Sequence, residues 1–292
     1  MATPPRQAQP ASLPATGGSH PDPEATDAPR PDDVGAGDPG DPPIPHLLPL
    51  EIQPQPDDTT CGPTCLHAVY RFWGDPVPLP EVIATTATLG RGEPSRGTLA
   101  VMLGVHALAR GYRASITTFN LRMFDPTWFD DRGRGEAGRL IDRLQRQLAA
   151  RVPDDPRFRE ATEWYLRFLG AGGRIRMEEL GGPLIARHLR AGRPVLTGLS
   201  ATWLYRAPRE FGPDDDPDDI RGMPAGHFVV LHGWDPEHRR VTVADPLADN
   251  PGFASQRYTV PIGRLIAAIT LGVLTDDADL LLIEPRHSGG PA

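Results

Sequence analysis

Lysine is missing from this 292-residue sequence: all 30 basic residues are arginine, the pattern expected from coding bias in a GC-rich genome. Cysteine is nearly missing too. Two cysteines are too few for a disulfide scaffold. No apolar run reaches the 18 or so residues that cross a bilayer; the longest, Leu265 to Leu274, is about half that. The first residues lack the apolar core of a secretory signal. Aromatic residues are absent from positions 1–45, and there is no excess of positive charge: 38 acids stand against the 30 arginines, for a net charge of −8. Seven of those acids fall within residues 1–45 with only Arg6 and Arg30 beside them, so the rest of the chain is close to neutral. A body without a basic surplus does not read as a nucleic-acid binder, which must displace counterions. These absences describe a soluble, cytoplasmic chain with neither membrane nor nucleic acid as partner.

What is abundant is proline, 35 residues, with 13 of them before position 50. Residues 1–45 cannot bury enough apolar surface to offset the entropy of ordering them, and read as a disordered acidic tail. Residues 46–285 read as one domain, and 286–292 as a short disordered tail. Within the domain, apolar stripes and cap signals predict helices at Thr60–Gly74, Leu79–Ala87, Thr98–Arg110, Glu136–Arg151, Arg157–Leu169 and Leu184–Arg190, with C-cap glycines at 111, 170 and 192. Strands are predicted at Arg113–Phe119, Pro194–Leu199, His227–Gly233, Arg240–Ala244, Gln256–Val260 and Leu280–Ile283. Helices lead and strands dominate the second half, an α+β pattern.

The stretch Gln55-Pro-Asp-Asp-Thr-Thr-Cys61-Gly-Pro-Thr-Cys65 places Cys61 in the first turn of a predicted helix. Free N–H groups and the helix dipole favour an anion there, and the thiolate is the nucleophilic form of cysteine. Such a nucleophile needs a base, an orienter for the base and an oxyanion hole. A hairpin centred on Pro236 puts Val229 opposite Val243, Leu231 opposite Val241 and, on the same face, His227 opposite Asp245. His227 is therefore the candidate base and Asp245 its orienter. The same register leaves His232 on the other face, beside Arg240, in a structural role.

Gln55, Cys61-Gly-Pro at a helix start, then Gly226-His-Phe-Val-Val and Ala244-Asp-Pro in that order resemble the C39 and C39-like cysteine peptidases. The resemblance implies a papain-like α+β fold, a helical lobe beside an antiparallel sheet. It implies Cys61 as nucleophile, His227 as base, Asp245 as orienter, and Gln55 with the Cys61 N–H as oxyanion hole. It further implies hydrolysis of a peptide or isopeptide bond through a thioester, with no metal or organic cofactor. The best-known C39 domains are fused to membrane transporters and cut after double glycine. This sequence has no membrane segment and adds a helical region over Phe124–Gly173, so what carries over is the chemistry rather than that substrate. An acyltransferase or amide hydrolase acting on a small molecule would use the same thioester, and an idle peptide-binding scaffold would keep the fold alone.

Plainer readings compete at several positions. Cys65 faces the same side of the helix one turn on and reads as core. A zinc site built from Cys61, Cys65 and His67 fails because position 67 points elsewhere on a helix. Asn250 is the rival orienter, and it falls beyond the predicted strand. Asp57 and Asp58 read as capping acids. The loop Gly212–Ile220, with five aspartates, either borders the cleft and favours cationic or amine-bearing substrates, binds calcium, or is a solvated loop. Trp203 and Tyr205 are candidates to line a substrate pocket.

Overall fold

The structure, a computed structural model, describes residues 46–89, 97–151, 155–275 and 277–286. The N-terminal tail and residues 287–292 lie outside the described residues. The elements in chain order are β1 (His46–Leu47), α1 (Cys61–Phe72), α2 (Leu79–Thr85), α3 (Ala100–Ala109), β2 (Tyr112–Thr118), α4 (Ala137–Ala150), α5 (Pro156–Gly170), β3 (Arg174–Arg176), α6 (Gly182–Arg190), β4 (Val195–Ser200), α7 (Ala201–Tyr205), β5 (Glu210–Phe211), β6 (Asp216–Pro217), β7 (Gly226–Asp235), β8 (Arg240–Ala244), β9 (Arg257–Pro261), α8 (Ile262–Leu271) and β10 (Asp279–Pro285). The α+β class and every longer helix and strand expected from the sequence are present. None of the helices among the described residues is long and apolar enough to cross a membrane.

One sheet runs in the order β3-β2-β10-β4-β7-β8-β9, with β1 also paired to β7. All its pairs are antiparallel except β2–β3. Strand β7 is buried from His227 to Trp234 because helices cover both faces. Phe228 and Val230 pack with Leu66, Leu103 and the rest of the α1–α3–α5 side, whereas Val229 and Leu231 pack with Leu189, Leu204 and Leu265 from α6, α7 and α8. The alternation of strand side chains thus feeds two cores, and burying one such Leu or Val fully is worth about 1.5–3 kcal/mol.

Helix α8 was not anticipated. Its sequence, Ile-Gly-Arg-Leu-Ile-Ala-Ala-Ile-Thr-Leu, is apolar nearly all round, so periodicity cannot separate a helix from a buried strand. Ile262, Leu265, Ala268 and Ile269 are the residues it buries. Helix α5 ends one residue later than expected, at Gly170 itself, so that Gly172 takes the positive φ of 90°, with Gly111 and Gly192 doing so after α3 and α6.

The β7–β8 register differs from a hairpin centred on Pro236. Leu231 faces Val243 and Val230 faces Ala244, two residues along from the expected pairing, and a bulge at His232 shifts the turn end so that Trp234 faces Val241 and Asp235 faces Arg240. A slip of two preserves which face each side chain occupies, so the apolar face survives. The turn sets the offset, since Asp235 faces Arg240 and the hairpin is centred between Glu237 and His238; the bulge in β7 takes one residue of that offset back, which restores the face. His232 occupies that bulge, its Nδ1 3.0 Å from the Leu48 carbonyl, and Arg240 pairs with Asp235 instead of lying beside it.

Candidate active site

Cys61 is the first residue of α1, and the close seat of that helix end on β7 depends on Gly62. A Cβ at position 62 would lie 2.4 Å from Thr98 Cγ2 and 3.2 Å from the Phe228 ring. Cys65, one turn on, is fully buried and its thiol donates to the Phe228 carbonyl at 3.3 Å, the core role expected of it. Burial pushes the Cys65 thiol well up, with Cys61 and Asp245 adding to the effect. These contacts set the start of α1 against the start of β7, where the next residue back from Phe228 is His227.

His227 donates through Nε2–H to Asp245 Oδ1 at 2.8 Å, both side chains being buried. Asp245 follows the last residue of β8, so it meets His227 as a diagonal neighbour rather than directly across the ladder, and the side chains still reach. Burial alone would push the His227 imidazole down. The Asp245 charge and hydrogen bond, with a further bond to Cys61, outweigh it and raise the imidazole to about 10. Burial would likewise push Asp245 up, and the His227 charge and bond together with hydrogen bonds from Tyr258 and Tyr205 hold it below its ordinary value.

Asp245 is fully satisfied. Oδ1 also accepts from the Leu247 N–H at 2.9 Å, while Oδ2 accepts from the Tyr205 hydroxyl at 2.7 Å and the Tyr258 hydroxyl at 2.5 Å. Asn250 is spent elsewhere: its amide donates to the Leu247 and Ser255 carbonyls and its oxygen accepts from Phe253 N–H. The rival orienter thus holds the turn that follows Asp245 and does not reach His227.

Gln55 is tied to the same turn, its N–H donating to the Pro246 carbonyl at 2.9 Å. Its side-chain Nε2 donates one hydrogen to the Asp57 carbonyl at 2.9 Å. Asp57 accepts from Thr59 N–H and hydroxyl in the turn before α1, where it caps no helical N–H, and those bonds with the ones from Thr60 outweigh its partial burial and lower its carboxyl.

Two cavities meet at His227. A larger one, about 660 Å³, is lined by Cys61, His227, Asp58, Glu210, Asp215 and Asp277 among others. A smaller one, about 310 Å³, has Gln55, Tyr205 and Asp214 on its wall and shares Asp58, Glu210 and Asp215. The Gly212–Ile220 loop therefore borders the cleft, as part of the β5–β6 hairpin. Burial, with the charges of Asp215 and Asp58, pushes the Glu210 carboxyl up. Trp203 does not belong to the site: it is 50 % exposed and lines neither cavity. The five-residue α7 turns it outward, capped by Ser200 Oγ on the Trp203 N–H. Tyr205 lines the smaller cavity with a hydroxyl committed to Asp245, which a pocket-lining role had not foreseen. Tyr258 was missed. The turn from Pro246 to Gln256 is long, so no loop-length rule fixes which residue of β9 faces Val243. Among the described residues, no group of three or more His, Cys, Asp or Glu is placed to hold a metal ion.

The chain is similar to several solved structures. One is a candidate C39-like peptidase from Bacillus anthracis, at 16% identity over 83% of this chain and 97% of that one, TM-score 0.41. Another is a double-glycine-motif protease from an AMS/PCAT transporter in complex with the leader peptide, at 12% identity over 83% and 96%, TM-score 0.39. A third is xylellain, a cysteine protease from Xylella fastidiosa, at 17% identity over 84% and 88%, TM-score 0.34. No curated protein matches the sequence. Residues 184–265, less than a third of the chain but including His227, Asp245, Tyr205 and Tyr258, match the Peptidase_C39 like family. Over those residues the chain is similar to the C39-like peptidases.

Proposed function

We propose that the chain is a cysteine-dependent peptidase that opens an amide bond by acyl transfer. The observation that carries this reading is the buried His227–Asp245 pair set against Cys61 at the start of α1, with Cys61 and His227 on one cavity wall. With Nε2 committed to Asp245, Nδ1 is the nitrogen left for the thiol. The thiol proton rests on His227 before the attack, in keeping with the raised imidazole, and Sγ then attacks the carbonyl carbon, forming the S–C bond. The oxyanion lies against the Cys61 N–H at the helix start and the second amide hydrogen of Gln55. As the tetrahedral adduct collapses, the C–N bond breaks and the amine leaves with the proton from His227. Water, deprotonated by the same imidazole, then hydrolyses the thioester, releasing the acid and restoring the thiol.

The test is digestion of a peptide library, read by mass spectrometry, with wild type and Cys61→Ala in parallel and with added hydroxylamine. The proposal expects new termini that require Cys61, and hydroxamates at the same bonds because a thioester intercepts the amine. Products that persist in Cys61→Ala, or no products from either protein, would overturn it. Transfer to the amine without any detectable hydrolysis would recast the chain as an acyltransferase.

A further inference from the structure

Asp245 holds its Oδ2 away from His227, and two hydroxyls from separate elements converge on that one atom: Tyr205 from the end of α7 and Tyr258 from β9. Packing needs only their rings. The Tyr258 ring stacks on Phe253 with centroids 3.7 Å apart and planes 8° from parallel, and Tyr205 meets the same Phe253 edge-on at 6.4 Å. Two phenylalanines would fill this aromatic cluster equally well, so the hydroxyls answer to Asp245. Both are buried, and a buried hydroxyl without a partner is costly, as is a buried carboxylate oxygen without a donor.

We infer that Tyr205 and Tyr258 are positioning residues for the acyl-transfer chemistry, locking the Asp245 carboxylate in the orientation that keeps Oδ1 on His227. The inference rests on the peptidase reading for its catalytic meaning. Neither hydroxyl is asked to touch the substrate; both act through Asp245. The Leu247 N–H holds Oδ1 from the turn side, so the carboxylate is gripped at both oxygens by groups on three elements. Losing the hydroxyls frees the carboxylate to rotate and lets it take a proton at higher pH, because donors to the charged form are what keep it ionised in a buried site. Either change deprives His227 of its orienter.

The experiment uses the full chain as wild type, Tyr205→Phe, Tyr258→Phe and the double variant. It follows the 13C titration of the Asp245 side-chain carboxyl by NMR and the rate of Cys61 alkylation by iodoacetamide from pH 4 to 10. The expected result is an Asp245 midpoint that rises by about one pH unit in each single variant and further in the double. Alkylation at pH 6 falls about tenfold, with near-native thermal stability in each single variant, where the other hydroxyl still serves Oδ2. In an Asp245→Asn background the same Tyr→Phe changes cause no further loss, since their route of action is already gone. An unchanged Asp245 midpoint with unchanged alkylation overturns the inference, as do losses that multiply in the Asn background. The peptidase reading fails separately: wild-type Cys61 then alkylates no faster than an ordinary thiol while the Asp245 midpoint still responds to the tyrosines.

Discussion

His227 is worth most attention at the scale of single residues, because its proton sets the working pH. The imidazole is raised to about 10, chiefly by the Asp245 charge and bond working against burial. Its charged form therefore persists through neutral pH and is lost as pH rises through about 10. The alkaline limb of kcat/KM should fall there, and Asp245→Asn, which removes the charge, should bring that limb down by more than one pH unit. A pH–rate profile of the two proteins checks this. Much of the constellation was legible in the sequence: Cys61 by its place at a helix start, His227 and Asp245 by the apolar faces they continue. The Asp245 clamp was not. Tyr205 was read as a pocket wall, and Tyr258 could not be placed until the long turn after Asp245 had folded.

Among the elements, α1 and β7 carry the site, and Gly62 is the point where they meet most closely. Gly62→Ala should cost roughly 1–3 kcal/mol, because the new methyl must displace Thr98 or Phe228 in a packed interface. Calorimetry should show a lower Tm, by about 2–4 °C per kcal/mol for a domain of this size. A second prediction concerns β10 and α5. Asp279, buried at the start of β10 and accepting from the Tyr165 hydroxyl at 2.6 Å, is raised by burial from 3.8 to about 6, those hydrogen bonds offsetting part of the effect. A carboxyl whose folded value is raised contributes stability that is complete below about pH 4 and is lost as pH rises through 6. Asp279→Asn keeps the shape without ionising, so the Tm of the variant relative to wild type should climb between pH 4 and 7. Elements were legible wherever polar and apolar residues alternated with a period. They failed at α8, which is apolar nearly all round, and at the hairpin register, where the turn is centred between Glu237 and His238 rather than on Pro236 and a bulge in β7 takes up one residue.

At the scale of the whole molecule, the described body is close to neutral and the negative charge is concentrated at the cleft: Asp58, Glu210 and Asp215 lie on the wall of both cavities that meet at His227. A cleft so lined concentrates cations, so peptides with arginine or lysine near the scissile bond should be cut about tenfold faster than acidic ones of equal length at low salt. Raising the salt to 0.5 M should erase most of that preference, which paired kcat/KM values would show. The central claim, that Cys61 is an activated nucleophile paired with His227, meets its most direct test before any substrate is known. It is intact-mass detection of limiting iodoacetamide labelling at pH 6 on wild type, Cys61→Ala, Cys65→Ala and His227→Ala. The account predicts one label on wild type and Cys65→Ala, none on Cys61→Ala, and a strongly slowed reaction in His227→Ala. Equal labelling of Cys61 and Cys65, or reaction of Cys61 only above pH 8, would contradict it.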